Sequence, residues 1–166
     1  MKKIKNSIVS FDISSVSTGW SYLVESNVEK FGLIQPPKNF SLSQKLYYFD
    51  YFVRSILKMC NPNYVIAEET YLKNVKTLKT LMQFIGVLNL DCLDVLEKDL
   101  ISISTMTTRS RFGIKTKEQV FDFVKKVYKP ILNDYSFKEG NDISDSILQA
   151  LYYYKFVLSV KQEKEK

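Results

Sequence analysis

Three strand-like segments follow one another at the start of the chain with no helix between them, and this run limits the fold more than any other feature. Residues 7–13 (SIVSFDI) form a short apolar stretch of the kind buried inside a sheet. Residues 18–25 (TGWSYLVE) alternate, with Trp20, Tyr22 and Val24 on one face. Ser26-Asn27 supplies a tight turn into residues 28–34 (VEKFGLI). Beyond Pro36-Pro37 the period changes, and apolar side chains at 42, 46, 49, 53, 56, 57 and 60 fit a helical stripe that Pro62 stops. Residues 64–68 (YVIAE) read as a fourth strand and residues 100–104 (LISIS) as a fifth, with the longest helical pattern, 75–96, between them. Thr116 and Gln119 make a capping box for a helix running to about Lys129, where Pro130 ends or kinks it. A last helix starts at Asn141 or Asp142 and runs through about Ser159.

A meander followed by strand–helix alternation predicts an α/β fold. Its sheet is mixed and five-stranded, a three-stranded antiparallel meander plus parallel strands, with helices on both faces. The 166 residues suit one domain over residues 1–160, followed by a charged tail over 161–166 that frays. The 75–96 pattern is apolar on more than one face, so one side meets the sheet and the other suits a second copy of the chain.

Composition removes several chemistries at once. There is no histidine, which excludes Ser-His-Asp and Cys-His nucleophile systems, HExxH zinc hydrolases and Cys/His zinc fingers. Two cysteines are too few for a Cys-only zinc site. Cys60 and Cys92 both fall on apolar helical stripes and read as buried free thiols of a reducing compartment. No run of 18 apolar residues exists, and the Met-Lys-Lys start is not followed by a signal-type stretch, so the expectation is a cytoplasmic protein with no membrane partner. Carboxylates, lysines, hydroxyls and any metal they recruit must do the work.

Acidic residues stand where burial makes them costly. Asp12 closes the first apolar run and Glu68 the fourth strand, while Asp142 and Asp145 share one face at the start of the last helix. The competing readings are strand ends reaching solvent for the first two, and complementation of a helix dipole for the second pair. Taken together, the four suit a site outside the carboxyl ends of parallel strands. Oxygen-only ligands select Mg²⁺ or Mn²⁺, and two such ions about 3.5–4 Å apart can clamp both oxygens of an in-line phosphodiester displacement. Glu68 and Glu69 are adjacent and so point to opposite faces; Glu68 is the expected ligand and Glu69 a rim residue.

The balance of 24 basic and 18 acidic residues gives +6, compatible with a polyanionic partner. Residues 105–129 hold seven basic side chains, among them Arg109, Arg111, Lys115 and Lys117, against two acidic ones. Lys73, Lys76 and Lys79 add a second basic stretch, and Lys2, Lys3 and Lys5 a third; solvated faces are the plain alternative. Lysine outnumbers arginine 21 to 3 and there are two alanines, a skew of A/T-rich coding.

The strings FDISSVSTGW, PNYVIAEETYLKN, RFGIKTKEQV and EGNDISDSILQAL resemble, in order and spacing, the successive motifs of RuvC-type Holliday junction resolvases of the RNase H-like (retroviral integrase) fold. The resemblance spans residues 7 to about 158. It implies that Asp12, Glu68, Asp142 and Asp145 are metal-binding catalytic carboxylates holding Mg²⁺, with Mn²⁺ able to substitute, and two ions per site. It implies that Tyr71 is the aromatic that wedges at the crossover, with Asn74 just after it. Lys117 falls near the basic residue that supports the scissile phosphate, with Lys115 as competitor, and Arg109 is the nearest counterpart of a further basic residue. Asp12-Ile-Ser departs from the usual Asp-Pro-Gly or Asp-x-Gly. The small size, the coding skew and these departures are in keeping with a bacteriophage version at work in a host bacterial cytoplasm.

The implied function is paired cutting of four-way junctions, and of forks and flaps, by a homodimer joined through the helix over 75–96. The alternatives are a nuclease acting on RNA–DNA hybrids or flaps, and a catalytically silent DNA-binding dimer.

Overall fold

The computed structural model describes residues 5–69 and 74–160. Strands β1 (Ser7–Asp12), β2 (Thr18–Val24) and β3 (Asn27–Ile34) form the expected meander. Helix α1 (Leu42–Cys60), strand β4 (Tyr64–Glu68), helix α2 (Val75–Leu96) and strand β5 (Leu100–Ile103) follow. Then come α3 (Thr105–Arg111), α4 (Lys117–Val127) and α5 (Phe137–Tyr152), the last continuing as a wider π-helical turn over Tyr153–Leu158. The sheet order is β3-β2-β1-β4-β5, antiparallel through β3, β2 and β1, and parallel from β1 to β4 to β5. Among the described residues no helix is long and apolar enough to cross a membrane. Tyr71, Lys73 and the 161–166 tail lie outside the described residues.

Alternation along the strands builds two cores. Val9, Phe11, Val65 and Ala67 face α1 and α2, where Phe49 and Phe84 meet edge to face with centroids 5.2 Å apart. Ile8 and Ile66 face the other way, onto Val120 and Val124 of α4 and Ile143 and Ile147 of α5. Cys60 and Cys92 are buried free thiols in the first core, and burial pushes them up to about 11 and about 12, so both stay protonated and inert. Between α1 and α2 the Arg54 guanidinium reaches Asp50 and Asp91 at 2.9 Å each, and also Asp94.

Three expectations need correction. The hairpin turn is Glu25-Ser26, one residue earlier than read, with Glu25 in the left-handed region at φ 57°. Helix α3 was not foreseen. Helix α5 begins at Phe137 rather than at Asn141 or Asp142, because the Glu139 carboxylate accepts hydrogen bonds from the Ser136 N–H and hydroxyl. Asp142 and Asp145 therefore sit in the second and third turns, beyond the reach of end-of-helix dipole effects.

Candidate active site

Asp12 has the same parity as Ile8 and Ser10, so its side chain leaves β1 on the α5 face. Glu68 shares the parity of Ile66 on β4 and emerges on that face too. The β1–β4 register runs to Phe11 opposite Ala67, so Asp12 and Glu68 occupy the next rung, at the carboxyl ends of two parallel strands. Glu69 takes the opposite parity, and its N–H donates to the Ile103 carbonyl at 2.8 Å.

Helix α5 brings Asp142 and Asp145 to the same place because it lies unusually close to the sheet. A Cβ on Gly19 of β2 would sit 2.1 Å from the Asp142 carbonyl oxygen, so only glycine fits there. Small hydroxyls continue this close contact: the buried Ser10 donates to the Gln149 side-chain oxygen at 3.1 Å.

Two cations converge on the carboxylates. Arg109 Nη2 of α3 lies 3.1 Å from Asp145 Oδ1, and Lys117 Nζ, at the first residue of α4, lies 3.2 Å from Asp145 Oδ2. Burial pushes the Asp12 carboxyl well above the usual carboxylate range. The Asp145 charge and the hydrogen-bonded Glu68 add to that shift, and Lys117 opposes it. Burial likewise raises Asp142, against a Ser17 hydrogen bond and Lys117. Burial works against charge on Lys117, but Asp12, Asp145 and Asp142 outweigh it and hold the ammonium above its ordinary value. The six side chains thus form one electrostatic unit in which four acids face two bases.

The donor set is hard oxygen throughout, the kind that suits Mg²⁺ or Mn²⁺. Among the described residues, no three acidic or thiol side chains are grouped tightly enough to hold an ion as they stand. Lys117 and Arg109 engage both oxygens of Asp145 where a divalent cation would otherwise balance the acids, so the residues fit such an ion in chemistry while their present spacing serves the two bases.

The other sequence candidates are more dispersed. Lys115 is exposed on the loop before α4 and lies beside Arg109, not on the carboxylates. Arg111 sits 5.8 Å from the centre of the Phe156 ring. Asn74 caps α2, its side-chain oxygen accepting from the Lys76 and Thr77 N–H groups, and Lys76 is exposed on the first turn. Sequence reasoning passed over Ser17 and Gly19. Gly19 was legible as the glycine seven residues after Asp12, whereas nothing distinguished Ser17 from its serine-rich loop. Around Arg109 three enclosed polar atoms, Thr105 Oγ1, Thr108 Oγ1 and Arg109 Nε, have no hydrogen-bond partner among the described residues. Each such orphan costs about 1–3 kcal/mol.

No protein-family model matches the chain. The crossover junction endodeoxyribonuclease RuvC of Dictyoglomus thermophilum is 29% identical over 89% of this chain and 96% of its own length. That of Dictyoglomus turgidum is 25% identical over the same shares. Among solved structures, Thermus thermophilus RuvC in complex with Holliday junction substrate superposes with a TM-score of 0.73 at 10% identity, over 89% of this chain and 94% of that one. The yeast mitochondrial Holliday junction resolvase Ydc2 gives 0.69 at 14% identity, over 95% and 81%. At these identities the structures speak for the fold, which is the RNase H-like arrangement expected from the sequence.

Proposed function

We propose that this chain, which is of the RuvC type, is a structure-selective endodeoxyribonuclease that resolves four-way DNA junctions. The supporting observation is the convergence of Asp12, Glu68, Asp142 and Asp145 with Arg109 and Lys117 at the carboxyl ends of β1 and β4. In this reading residues 1–160 are a single nuclease domain, and the protein works in the cytoplasm where its DNA is.

The four carboxylates are the residues that would hold Mg²⁺, or Mn²⁺ in its place, two ions per site. Such ions supply an acidified water and charge neutralisation at the phosphate. The chain's own groups do the rest. Asp12 and Glu68 enter from rigid strands and Asp142 and Asp145 from a helix pinned by Gly19, so the acids are positioned before substrate arrives. Lys117 carries its charge to the scissile phosphate and stabilises the negative charge that builds on its oxygens. Arg109 orients Asp145 and meets the same strand. Lys115, Arg111, Lys76 and Asn74 contact the DNA backbone farther out, and Lys73 and the stacking residue Tyr71 are assigned to the same DNA from the sequence resemblance alone. Two copies joined through α2 present two sites to the two strands that must be cut.

The test offers a four-way junction, a fork, an RNA–DNA hybrid and plain duplex to the purified protein with Mg²⁺, with Mn²⁺ and with EDTA. The junction is cut fastest, and only with metal. Asp12→Asn and Asp145→Asn each lower cutting by on the order of 10²-fold or more. Junction binding persists or tightens, because repulsion of phosphate falls. Full cutting by either variant overturns the four-carboxylate site, and preferred cutting of the hybrid overturns the junction reading.

A further inference from the structure

The turn between β1 and β2 is tied down by its own side chains. The buried Thr18 hydroxyl donates to the Ser14 carbonyl at 3.0 Å and accepts from the Ser14 N–H at 3.1 Å. The Ser14 hydroxyl in turn accepts from the Val16 N–H at 3.2 Å. Ser17 stands between this clasp and Gly19. It shares the parity of Gly19, which lies against the Asp142 backbone, so its side chain leaves the sheet on the side of α5. There the Ser17 hydroxyl makes a hydrogen bond with the Asp142 carboxylate.

A third residue decides how that hydroxyl is used. Thr18 pairs with Ile34 in the β2–β3 register, which sets Gln35 opposite Ser17 on the next rung and the same face. Pro36 follows, and a residue before proline is kept extended, so Gln35 holds the strand direction beyond the end of β3. Its Nε2 donates to Ser17 Oγ at 3.3 Å. A serine hydroxyl has one proton, and with its oxygen accepting from Gln35 that proton goes to Asp142. A carboxylate that accepts one proton keeps lone pairs for a cation. The contrast with Asp145 is one of charge. Arg109 and Lys117 hold Asp145 as cations, whereas Ser17 orients Asp142 as a neutral donor that does not compete with a metal ion.

We propose that Ser17, oriented by Gln35, positions the Asp142 carboxylate to receive a divalent cation. Neither residue touches the reacting atoms. The inference rests on the metal-dependent reading of the site given above and adds two positioning residues to it.

The experiment titrates Mn²⁺ into the full-length protein without DNA, following the free ion by electron paramagnetic resonance. It also measures kcat and KM on a four-way junction at a fixed, subsaturating Mg²⁺ concentration. Ser17→Ala lowers Mn²⁺ affinity and kcat by about 10–100-fold each, the loss typical when the partner of a metal ligand is removed, and KM for the junction stays within about twofold. Ser17→Thr keeps the hydroxyl and recovers most of both losses. Gln35→Glu separates orientation from packing. A carboxylate only accepts, so it draws the Ser17 proton to itself and turns a lone pair on Asp142. Mn²⁺ affinity then falls below that of Gln35→Ala, although the added negative charge alone would raise it. Native Mn²⁺ affinity in Ser17→Ala, a Ser17→Thr no better than Ser17→Ala, or a Gln35→Glu that binds as well as Gln35→Ala each overturns the relay and leaves junction cutting standing. A native protein that binds no Mn²⁺ overturns the relay too, and if it also cuts no junction the metal reading falls with it.

Discussion

Two buried aspartates in this chain carry raised pKa values for different reasons, and the difference separates function from stability. Asp12 has other acids as its nearest charges, with only Lys117 in opposition, in keeping with the metal-binding role proposed for it. Asp91 is 1% exposed and ion-paired to Arg54, yet burial and then the neighbouring Asp50 carry it up to about 7, against Arg54. Its Oδ2 is enclosed without a partner among the described residues. A carboxyl whose folded value exceeds its unfolded one, near 3.9, stabilises the fold in its protonated form. That contribution is full below pH 4 and is lost as pH rises through 7. Asp91→Asn should therefore be more stable than the native protein at pH 8, by on the order of 2 kcal/mol or about 5 °C in Tm, with the gain gone by pH 5. Thermal melts at the two pH values check it, and equal Tm at pH 8 would mean that Arg54 fully compensates the buried charge. Asp12 was legible in the sequence because it ends an apolar strand. Asp91 was passed over because helices carry acids on solvent faces as a rule, although its spacing from Phe84 and Leu88 already put it on the buried stripe.

Elements were legible where the chain announces their ends. The capping box at Thr116–Gln119 opened α4 as read, and α1 and α2 have the bounds their apolar spacing implied. Helix α3 escaped notice because TMTTRSR has no apolar period, and α5 was started late because Gly140 and four polar residues separate Phe137 from Ile143. Yet α5 carries half of the acids, and its seat depends on Gly19. The glycine is needed for space: an added Cβ would also lie 2.7 Å from the Ile143 nitrogen. Gly19→Ala must push the helix off β2 and carry Asp142 and Asp145 away from Asp12 and Glu68. Overpacking of this kind costs about 1–3 kcal/mol. Cutting should fall more than stability warrants, by on the order of 10²-fold at a temperature where the variant is fully folded, because sub-ångström placement governs the rate. Native cutting rates in Gly19→Ala would show that the helix relaxes without moving its carboxylates.

For the whole molecule, the paired cutting proposed above calls for a second copy of the chain. On α2 the residues Val75, Met82, Gly86, Leu90 and Leu93 recur at spacings of seven, four, four and three, which keeps them on one stripe of a 3.6-residue helix. All five are exposed, and nothing stands within 4 Å of where a Gly86 Cβ would be, so another backbone can approach there. For the proposed pairing through α2, the charges along the helix set the direction. Lys76 and Lys79 mark its first half, Asp94 and Glu97 its end. Two parallel copies would set lysine on lysine, whereas antiparallel copies crossing at Gly86 set the lysines of each against the acids of the other and Met82 against Leu90. In the proposed pairing a two-fold axis passes through Gly86 and relates the two carboxylate sites by symmetry. Leu90→Asp combined with Leu93→Asp should leave the circular dichroism intact, since these side chains are 64% and 58% exposed. The same change should halve the sedimenting mass and turn paired cuts into slow single nicks, at least about tenfold down, because like charges then face each other across the pair. The charge argument has its own check: Lys79→Glu weakens the dimer and Glu97→Lys added to it restores the association. If the double aspartate variant still sediments as a dimer, the copies meet elsewhere. If the charge swap fails to rescue, they meet on α2 in another register.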